Sequence, residues 1–311
     1  MTRAVRIIVL AVAAACFVAL RLKFNREYAG APWHALVAGT AKLPFGHRVL
    51  VPQLVRPFVA AGISIKACFA VTEWMASVAA IGGVAACLRQ WVAPRLAVLG
   101  GAAYLGVLGL GFLLRFKWPI FYPWDLPAIA CIAWGLAWSV QRRWVPVLVL
   151  VVLGAANRES AVLVPVLAVL VHWTASTRAE ALRWASLQLV GVVMVRFAIS
   201  VLWSSNPGTG VHLYVDGMLR AEHNLRWLAD LGHALSILGA FAGLPVLWCV
   251  LRRRMPGALQ RVGALAFAAM AGLFVVANLY EPRAWGEPLL LLYVGVTVAA
   301  FRWALSNDPP A

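Results

Sequence analysis

The sequence predicts an all-α fold, a polytopic integral membrane protein in which residues 1–311 form a single transmembrane domain. Hydrophobic residues make up 63% of the chain and charged residues only 12%, whereas a soluble domain is typically about 25% charged. The mean hydropathy is +0.84, and the 15 Trp residues are typical of the aromatic belts at the two membrane surfaces. The longest polar loop, residues 204–229, is too short to form a separate soluble domain.

About eight apolar stretches are predicted to cross the membrane completely, since a bilayer needs roughly 20 apolar residues per helix. The first stretch is followed by further spans and lacks a small-residue cleavage site before Arg21. We therefore interpret it as an uncleaved anchor rather than a signal peptide. The predicted spans are residues 5–22, 64–88, 96–114, 126–140, 184–203, 230–250, 262–280 and 288–304.

Two shorter apolar pieces, residues 144–156 and 161–173, flank the polar tetrapeptide NRES. Each piece would form roughly 20 Å of helix, which is too short to cross a bilayer. We therefore predict a re-entrant helical hairpin over residues 144–173. Its polar tip would lie at membrane depth, where it must be shielded by protein or line a wet cavity.

Residues 45–62 are apolar but contain Arg48 and Arg56, two helical turns apart. We predict an amphipathic helix that lies in the membrane interface, because counting this segment as a span would place arginine-rich loops on the same side as acidic ones. The two arginines would then either snorkel to lipid headgroups or bind a lipid phosphate, which the planar guanidinium suits.

The loops between the predicted spans divide into two unlike faces. One face carries almost only arginine, and the other carries nearly all the acids. The basic clusters at residues 141–143 and 252–254 indicate that the first face and both termini are cytoplasmic. The net charge of +16 indicates contact with anionic membrane lipids. No nucleic acid partner is expected, because the sequence shows no soluble basic domain.

The NRES tetrapeptide supplies three candidate binding residues, Asn157, Arg158 and Glu159. Ionisable groups at membrane depth are costly and are functional by default, and these side chains suit a phosphate or hydroxyl group. The alternative is a structural role in which the charged pair satisfies helix ends and Asn157 or Ser160 caps the second helix.

Three loops on the acidic face supply further candidates. Tyr122 and Asp125 suit a sugar site in which rings stack on the sugar and the carboxylate accepts a hydroxyl proton. Alternatively, Asp125 complements the dipole of the helix that it begins. Glu281 and Arg283 either join the same site or form a tight turn with local ion pairs. Glu27 is the only acid of the first outer loop, and it is a candidate base or an exposed ion-pair partner.

No metal ion or other cofactor is predicted from the motifs. The sequence contains no HExxH or HxxxH pattern, and its five Cys residues show no CxxC spacing, so the usual zinc-ligand patterns are absent. The glycine patterns of P-loop and Rossmann nucleotide sites are absent too. This argues against nucleotide chemistry on the cytoplasmic side.

The segments FGHRVLVPQL, YPWDLPAI, NRESAVLVP and EPRAWGEPLL resemble those of an uncharacterised bacterial family of multi-pass membrane proteins with R-V-L-x-P, N-R-E-[ST] and E-x-R elements in that order. More distantly, the layout resembles the GT-C membrane glycosyltransferases. That resemblance implies the bacterial inner membrane, an outward-facing cavity, a polyprenyl-phosphate-linked sugar and an acidic base in the first outer loop. By position that base is Glu27. GT-C proteins often have an acidic pair or an Asp there, and many carry a large extracytoplasmic domain that this sequence does not show.

The leading hypothesis is therefore a GT-C-like transferase at the outer face of the inner membrane. Glu27 or Asp125 would deprotonate the acceptor hydroxyl. Three arginines would hold the phosphate of a polyprenyl carrier and two glutamates would orient them; these residues are Arg48, Arg158, Arg283, Glu159 and Glu281. One alternative is a transporter or flippase for an anionic lipid or solute. Another is a non-catalytic envelope-assembly protein whose polar motifs join helices.

Overall fold

The computed structural model describes residues 3–113, 120–174, 176–208, 213–215 and 217–305. The α-helices are α1 (Arg3–Phe24), α2 (Trp33–Ala38), α3 (Leu50–Ala60), α4 (Ile65–Leu88), α5 (Pro94–Leu113), α6 (Asp125–Val140), α7 (Trp144–Asn157), α8 (Leu163–Val171), α9 (Arg178–Leu202), α10 (Arg220–Leu228), α11 (Leu231–Ala240), α12 (Leu244–Leu251), α13 (Gly257–Val276) and α14 (Gly286–Leu305). Short 3-10 helices cover Phe45–His47, Glu159–Val162, Arg252–Arg254 and Pro282–Trp285. Strands β1 (Tyr214–Val215) and β2 (Met218–Leu219) pair antiparallel.

The all-α class is confirmed, and several of the helices suit a membrane. Within the ranges that the structure describes, five helical segments are long and apolar enough to cross a bilayer: α4, α5, α9, α13 and the segment Pro282–Leu305. Helices α11 and α12 would make a sixth if they form one span bent by 71°. The full set of eight spans stays a prediction, because α6 has only 16 residues and a span typically needs about 20.

Helix α9 shows the kind of surface that suits lipid. Leu187, Val190, Val193 and Phe197 lie along this helix, and each is more than half exposed. A band of large apolar side chains in water would be an aggregation site or a protein interface. In a bilayer the same band contacts acyl chains at no cost.

Helices α4 and α6 pack closely against each other at a glycine. A Cβ atom added to Gly83 would lie 2.8 Å from the Cβ of Ala133 and 3.0 Å from the backbone nitrogen of Trp134. The neighbouring Gly82 is less crowded, since its added Cβ would meet only Trp134 Cζ2 at 3.4 Å. Small residues at such contacts let membrane helices approach closely, and dispersion then holds them together.

We therefore expect Gly83→Val to destabilise the protein and Gly82→Val to have little effect. Overpacking typically costs about 1–3 kcal/mol, and at Gly83 the obstructing atoms include backbone, which cannot rotate away. Thermal unfolding of the two purified variants in detergent, followed by tryptophan fluorescence, compares them directly. Equal melting temperatures for both variants would contradict this account of the α4–α6 contact.

Helices α7 and α8 form a hairpin. The start of α7 lies beside the end of α8 at the open end, and the NRES residues that connect the two helices form the tip. At the open end, Trp144 packs against Ala168 and lies edge-on to His172, with ring centroids 5.5 Å apart. Its indole also donates to the carboxylate of Glu180 at 2.7 Å. The NRES residues lie at the other end, where α7 ends at Asn157 and a 3-10 turn begins. The predicted pair of short helices is therefore present, with polar residues at the tip.

Helix α3 is shorter than the predicted helix over residues 45–62. It begins at Leu50, after a 3-10 turn that ends at His47. Arg48 precedes the helix, so Arg48 and Arg56 do not share a helix face as expected. The backbone N–H of Val49 donates to the carbonyl of Ala156 at 3.0 Å, which fixes this segment beside the hairpin tip.

Candidate functional site

A cavity of about 1450 Å³ brings together residues that lie far apart in the sequence. It is bounded by the loop between α1 and α2, the segment before α3, the start of α6, the hairpin tip and the turn before α14. Eight of the ten residues singled out from the sequence line it: Glu27, Arg48, Tyr122, Asp125, Arg158, Glu159, Glu281 and Arg283.

The other two candidates, Arg56 and Asn157, do not line this cavity. Arg56 is exposed on α3, with a guanidinium nitrogen 3.5 Å from the side-chain oxygen of Gln53. Asn157 is only 2% exposed, and its amide donates to the carbonyl of Trp124 at 2.9 Å. Asn157 thus joins the hairpin tip to the start of α6, so its contact is structural.

Asp125 lies at the centre of a network of charged side chains. It is 1% exposed and lies at the first residue of α6, where the helix dipole favours a negative charge. Its carboxylate oxygens are 3.5 Å from Arg21, 3.4 Å from Arg158 and 3.3 Å from Arg283. Because three guanidinium groups surround it, the geometry favours a positioning role over direct contact with an acceptor hydroxyl.

Arg21, one of these three neighbours of Asp125, also forms an ion pair with Glu73, and both side chains are fully buried. The Arg21 guanidinium also packs over the rings of Phe112 and Phe121, at 4.5 and 4.8 Å from their centroids. Neither Arg21 nor Glu73 was singled out from the sequence. The available signal was a single acid within an otherwise apolar span, which is costly unless it has a partner.

The other buried charges of the cavity wall are also paired. Glu287, 2% exposed, lies 3.0 Å from Arg158 and accepts a hydrogen bond from Ser160 at 2.8 Å. Glu281 pairs with Arg283 and accepts from the amide of Asn278 at 2.7 Å. These contacts hold Arg158 and Arg283 against the protein.

Arg196 was missed in the sequence, although it lies in the apolar stretch VGVVMVRFAISVL of α9. It lines the cavity and lies 2.9 Å from the carboxylate of Glu159. It also donates to the backbone carbonyls of His47 at 3.0 Å and Ala155 at 3.4 Å. A lone arginine within an apolar helix of membrane-spanning length was the signal that could have revealed it.

His47 lies beside this arginine and stays neutral near pH 7. Burial, with a further contribution from Arg196, lowers the pKa of His47 below its usual value, and Glu159 only partly opposes the shift. The imidazole therefore adds no positive charge to this part of the cavity at neutral pH.

Stacked aromatic rings form another wall. The rings of Phe45, Tyr122 and Trp124 pack against one another. The Tyr122 centroid lies 5.4 Å from that of Phe45 and 4.9 Å from that of Trp124, with interplanar angles of 21° and 17°, and the Phe45 and Trp124 centroids are 6.2 Å apart. Arg283 packs over Tyr122 at 4.1 Å and Arg48 packs over Trp124 at 5.0 Å. Such cation–π contacts fix the planes of both guanidinium groups.

Glu27 differs from Asp125, Glu281 and Glu287 because it is exposed at the cavity rim. It accepts a hydrogen bond from the backbone N–H of Trp33, the first residue of α2. A substrate that enters the cavity can therefore reach Glu27 without disturbing the buried ion pairs.

The cavity also has an apolar side, formed by α13 and by the residues that follow the hairpin tip. Ala269, Gly272, Leu273 and Val276 contribute from α13, and Leu163 contributes from the hairpin. The arginine-lined wall and this apolar strip belong to one space. The cavity therefore suits an amphipathic ligand with an anionic head.

Some charged residues of the sequence fall outside the described ranges. Arg115 and Lys117, which precede the aromatic segment, lie outside the described residues, as does Asp216 of the long polar loop. Across the described ranges, no group of three or more His, Cys, Asp or Glu side chains could hold a metal ion. In comparisons with known proteins, no family model matches the chain and no curated protein matches it.

Proposed function

We propose that this protein is a GT-C-like membrane glycosyltransferase that uses a polyprenyl-phosphate-linked sugar at the outer face of the bacterial inner membrane. The observation that carries the proposal is the composition of the cavity. Guanidinium groups, an exposed carboxylate and an apolar strip line a single space of about 1450 Å³. Pockets for drug-sized ligands typically measure about 300–1000 Å³, so this one has room for a lipid head and an acceptor together.

Each part of the cavity matches one part of such a substrate. The guanidinium groups suit phosphate oxygens, because their planar fork donates two hydrogen bonds in parallel. The α13 strip around Gly272 and Val276 suits the isoprenoid chain. The Tyr122 ring is 5% exposed and is covered by Arg283 and by its neighbouring rings, so a sugar would contact the partly exposed ring of Phe45 in the same aromatic wall.

In the proposed reaction, the acceptor hydroxyl oxygen attacks the anomeric carbon of the donor sugar. The bond between that carbon and the phosphate oxygen breaks, and polyprenyl phosphate leaves with the bonding electron pair. Glu27 accepts the hydroxyl proton as general base. The arginines stabilise the negative charge that develops on the phosphate. Glu27 is preferred over Asp125 because Glu27 is exposed and Asp125 is engaged by three guanidinium groups.

The proposed membrane arrangement places the cavity on the outward side, with both termini cytoplasmic. The hairpin α7–α8 would be re-entrant, entering from the cytoplasm and ending at the cavity. The ion pair between Arg142 and Glu180 lies at the open end of the hairpin, away from the NRES tip, and the basic cluster at residues 141–143 beside it supports a cytoplasmic position for that end. The eight-span topology and the likeness to the bacterial multi-pass family belong to the same proposal.

A transporter or flippase is the second candidate, and interrupted helices favour it. The hairpin is broken at residues 158–162, and α11 and α12 meet at 71°. Transporters often build midplane sites from such discontinuous helices. The third candidate, a non-catalytic assembly protein, is disfavoured by the size of the cavity, since charges used only to join helices would pack without such a space.

The test of the proposed function is a transfer assay with protein in liposomes that contain a polyprenyl-phosphate-linked sugar. A transferase releases polyprenyl phosphate and passes the sugar to an acceptor. A flippase moves the lipid between leaflets and leaves the sugar–phosphate bond intact. Mass spectrometry of the extracted lipids separates these outcomes, and the absence of any released polyprenyl phosphate across a panel of acceptors would contradict a transferase.

We expect Gly272→Leu to block the apolar strip and weaken binding of undecaprenyl phosphate about tenfold or more, which corresponds to about 1.4 kcal/mol. A Cβ added at Gly272 meets no atom within 4 Å, so the leucine fits the protein and extends into the cavity. Gly106→Leu on α5 is the matched control, because Gly106 also has open space and does not line the cavity. Equal affinities of both variants, measured by native mass spectrometry, would place the lipid chain elsewhere.

A further inference from the structure

Glu159 differs from the buried carboxylates of the cavity in its exposure. The side chains of Asp125 and Glu287 are 1% and 2% exposed, whereas that of Glu159 is 48% exposed. A buried carboxylate cannot leave its arginines without a large desolvation penalty on both partners. Glu159 faces the open cavity, so its carboxylate can leave its arginines without being buried elsewhere in the protein.

The two arginines that share Glu159 are held in place by other contacts. Arg196 donates to the backbone carbonyls of His47 and Ala155, and Arg48 packs over the Trp124 ring. Their side chains are only 16% and 20% exposed, for Arg48 and Arg196 respectively. Both guanidinium groups would therefore stay in position if Glu159 moved away.

Buried polar atoms without hydrogen-bond partners show that this arrangement is incomplete. The Nε atom of Arg48 is buried and lies 3.7 Å from Glu159, too far for a hydrogen bond. The Nε2 atom of His47 is also buried and has no hydrogen-bond partner among the described residues. Both residues line the cavity. Unpaired buried polar atoms are costly, and an anion with several acceptor oxygens would satisfy the Arg48 donor.

We propose that Arg48 and Arg196 form the binding site for the phosphate of the lipid carrier, and that Glu159 occupies this site until the phosphate displaces it. The inference rests on the proposed function and specifies which arginines contact the phosphate. Arg158 and Arg283 keep their ion pairs with Asp125, Glu281 and Glu287 and line the same cavity. Glu159 would thus act as an internal competitor that balances the charge of the two guanidinium groups when no lipid is bound.

The test is a titration with undecaprenyl phosphate, followed by native mass spectrometry, of wild type, Glu159→Gln, Arg48→Gln and Arg196→Gln. Removing the competitor is expected to tighten binding by about fivefold or more. Removing either arginine is expected to weaken it by about tenfold or more, the loss of one charge-assisted hydrogen bond. Arg226→Gln is the control, because Arg226 pairs with Glu222 on the exposed face of α10. Glu159→Ala repeats the test in case the glutamine forms new hydrogen bonds.

The outcomes separate this inference from the proposed function. If wild type binds the lipid but Glu159→Gln and Glu159→Ala bind it equally or more weakly, the displacement inference is overturned and the transferase proposal stands. If no form binds the lipid, the proposed function itself fails. A parallel titration with inorganic phosphate distinguishes the lipid from the free anion: the same pattern with phosphate alone, and no lipid binding, would overturn the lipid assignment.

Discussion

Arg21→Met is expected to lower the free energy of unfolding by about 3–5 kcal/mol, the cost of leaving a buried charge without its partner. Glu73 is fully buried against Arg21, and Asp125 would lose one of its three guanidinium neighbours. The expected result is a strongly reduced yield of folded protein and a lower midpoint in denaturant titration of protein in mild detergent.

The double variant Arg21→Met/Glu73→Met is the decisive control. Replacing a buried ion pair by apolar groups of similar size is often neutral or stabilising, so the double variant should recover most of the lost stability. Arg226→Met, which breaks an exposed pair with Glu222, should change little. If the double variant is as unstable as the single one, the ion pair is not what makes Arg21 important.

Glu27→Gln is expected to lower the rate of sugar transfer by about 10²–10⁴-fold, the usual contribution of a general base. The amide keeps the size of the carboxylate but cannot accept the hydroxyl proton. Binding of the lipid carrier should be unchanged, because the arginines that would hold the phosphate do not depend on Glu27. Transfer rates and lipid affinity are measured on the same liposome preparation.

Asp125→Asn provides the comparison for this second prediction. Because Asp125 contacts Arg21, Arg158 and Arg283, its loss should weaken lipid binding and stability as well as transfer. Loss of a general base lowers only the rate of sugar transfer, whereas loss of a positioning residue also weakens the affinity for the lipid. Transfer that survives intact in both Glu27→Gln and Asp125→Asn would contradict the proposed chemistry.

The sequence was informative where a polar residue interrupts an apolar pattern. Arg158 and Glu159 were recognised because they separate two short apolar helices, and the cavity does include both. Arg196 and Glu73 carry the same signal but lie within continuous helices, where one charge scarcely changes the hydropathy. Periodicity shows which face of a helix is polar, but not which distant helix supplies the partner.

The limits of helix prediction have a similar origin. The 45–62 segment was expected to be one helix, with Arg48 and Arg56 on the same face. Instead the chain turns at Phe45–His47, and the helix begins at Leu50. The contacts that stabilise this turn come from Arg196 and from the end of α7. Such tertiary contacts are invisible in a local pattern, and they are what direct Arg48 into the cavity and leave Arg56 outside.

The most direct test of the central claim is a cryo-EM structure of the protein with undecaprenyl phosphate, using an antibody fragment to provide sufficient mass for alignment. We expect density for the phosphate between Arg48 and Arg196, density for the isoprenoid chain along α13 past Gly272, and a displaced Glu159 side chain. Lipid density elsewhere on the surface, with the cavity unchanged and Glu159 still between its arginines, would contradict the claim that this cavity is a lipid-phosphate site.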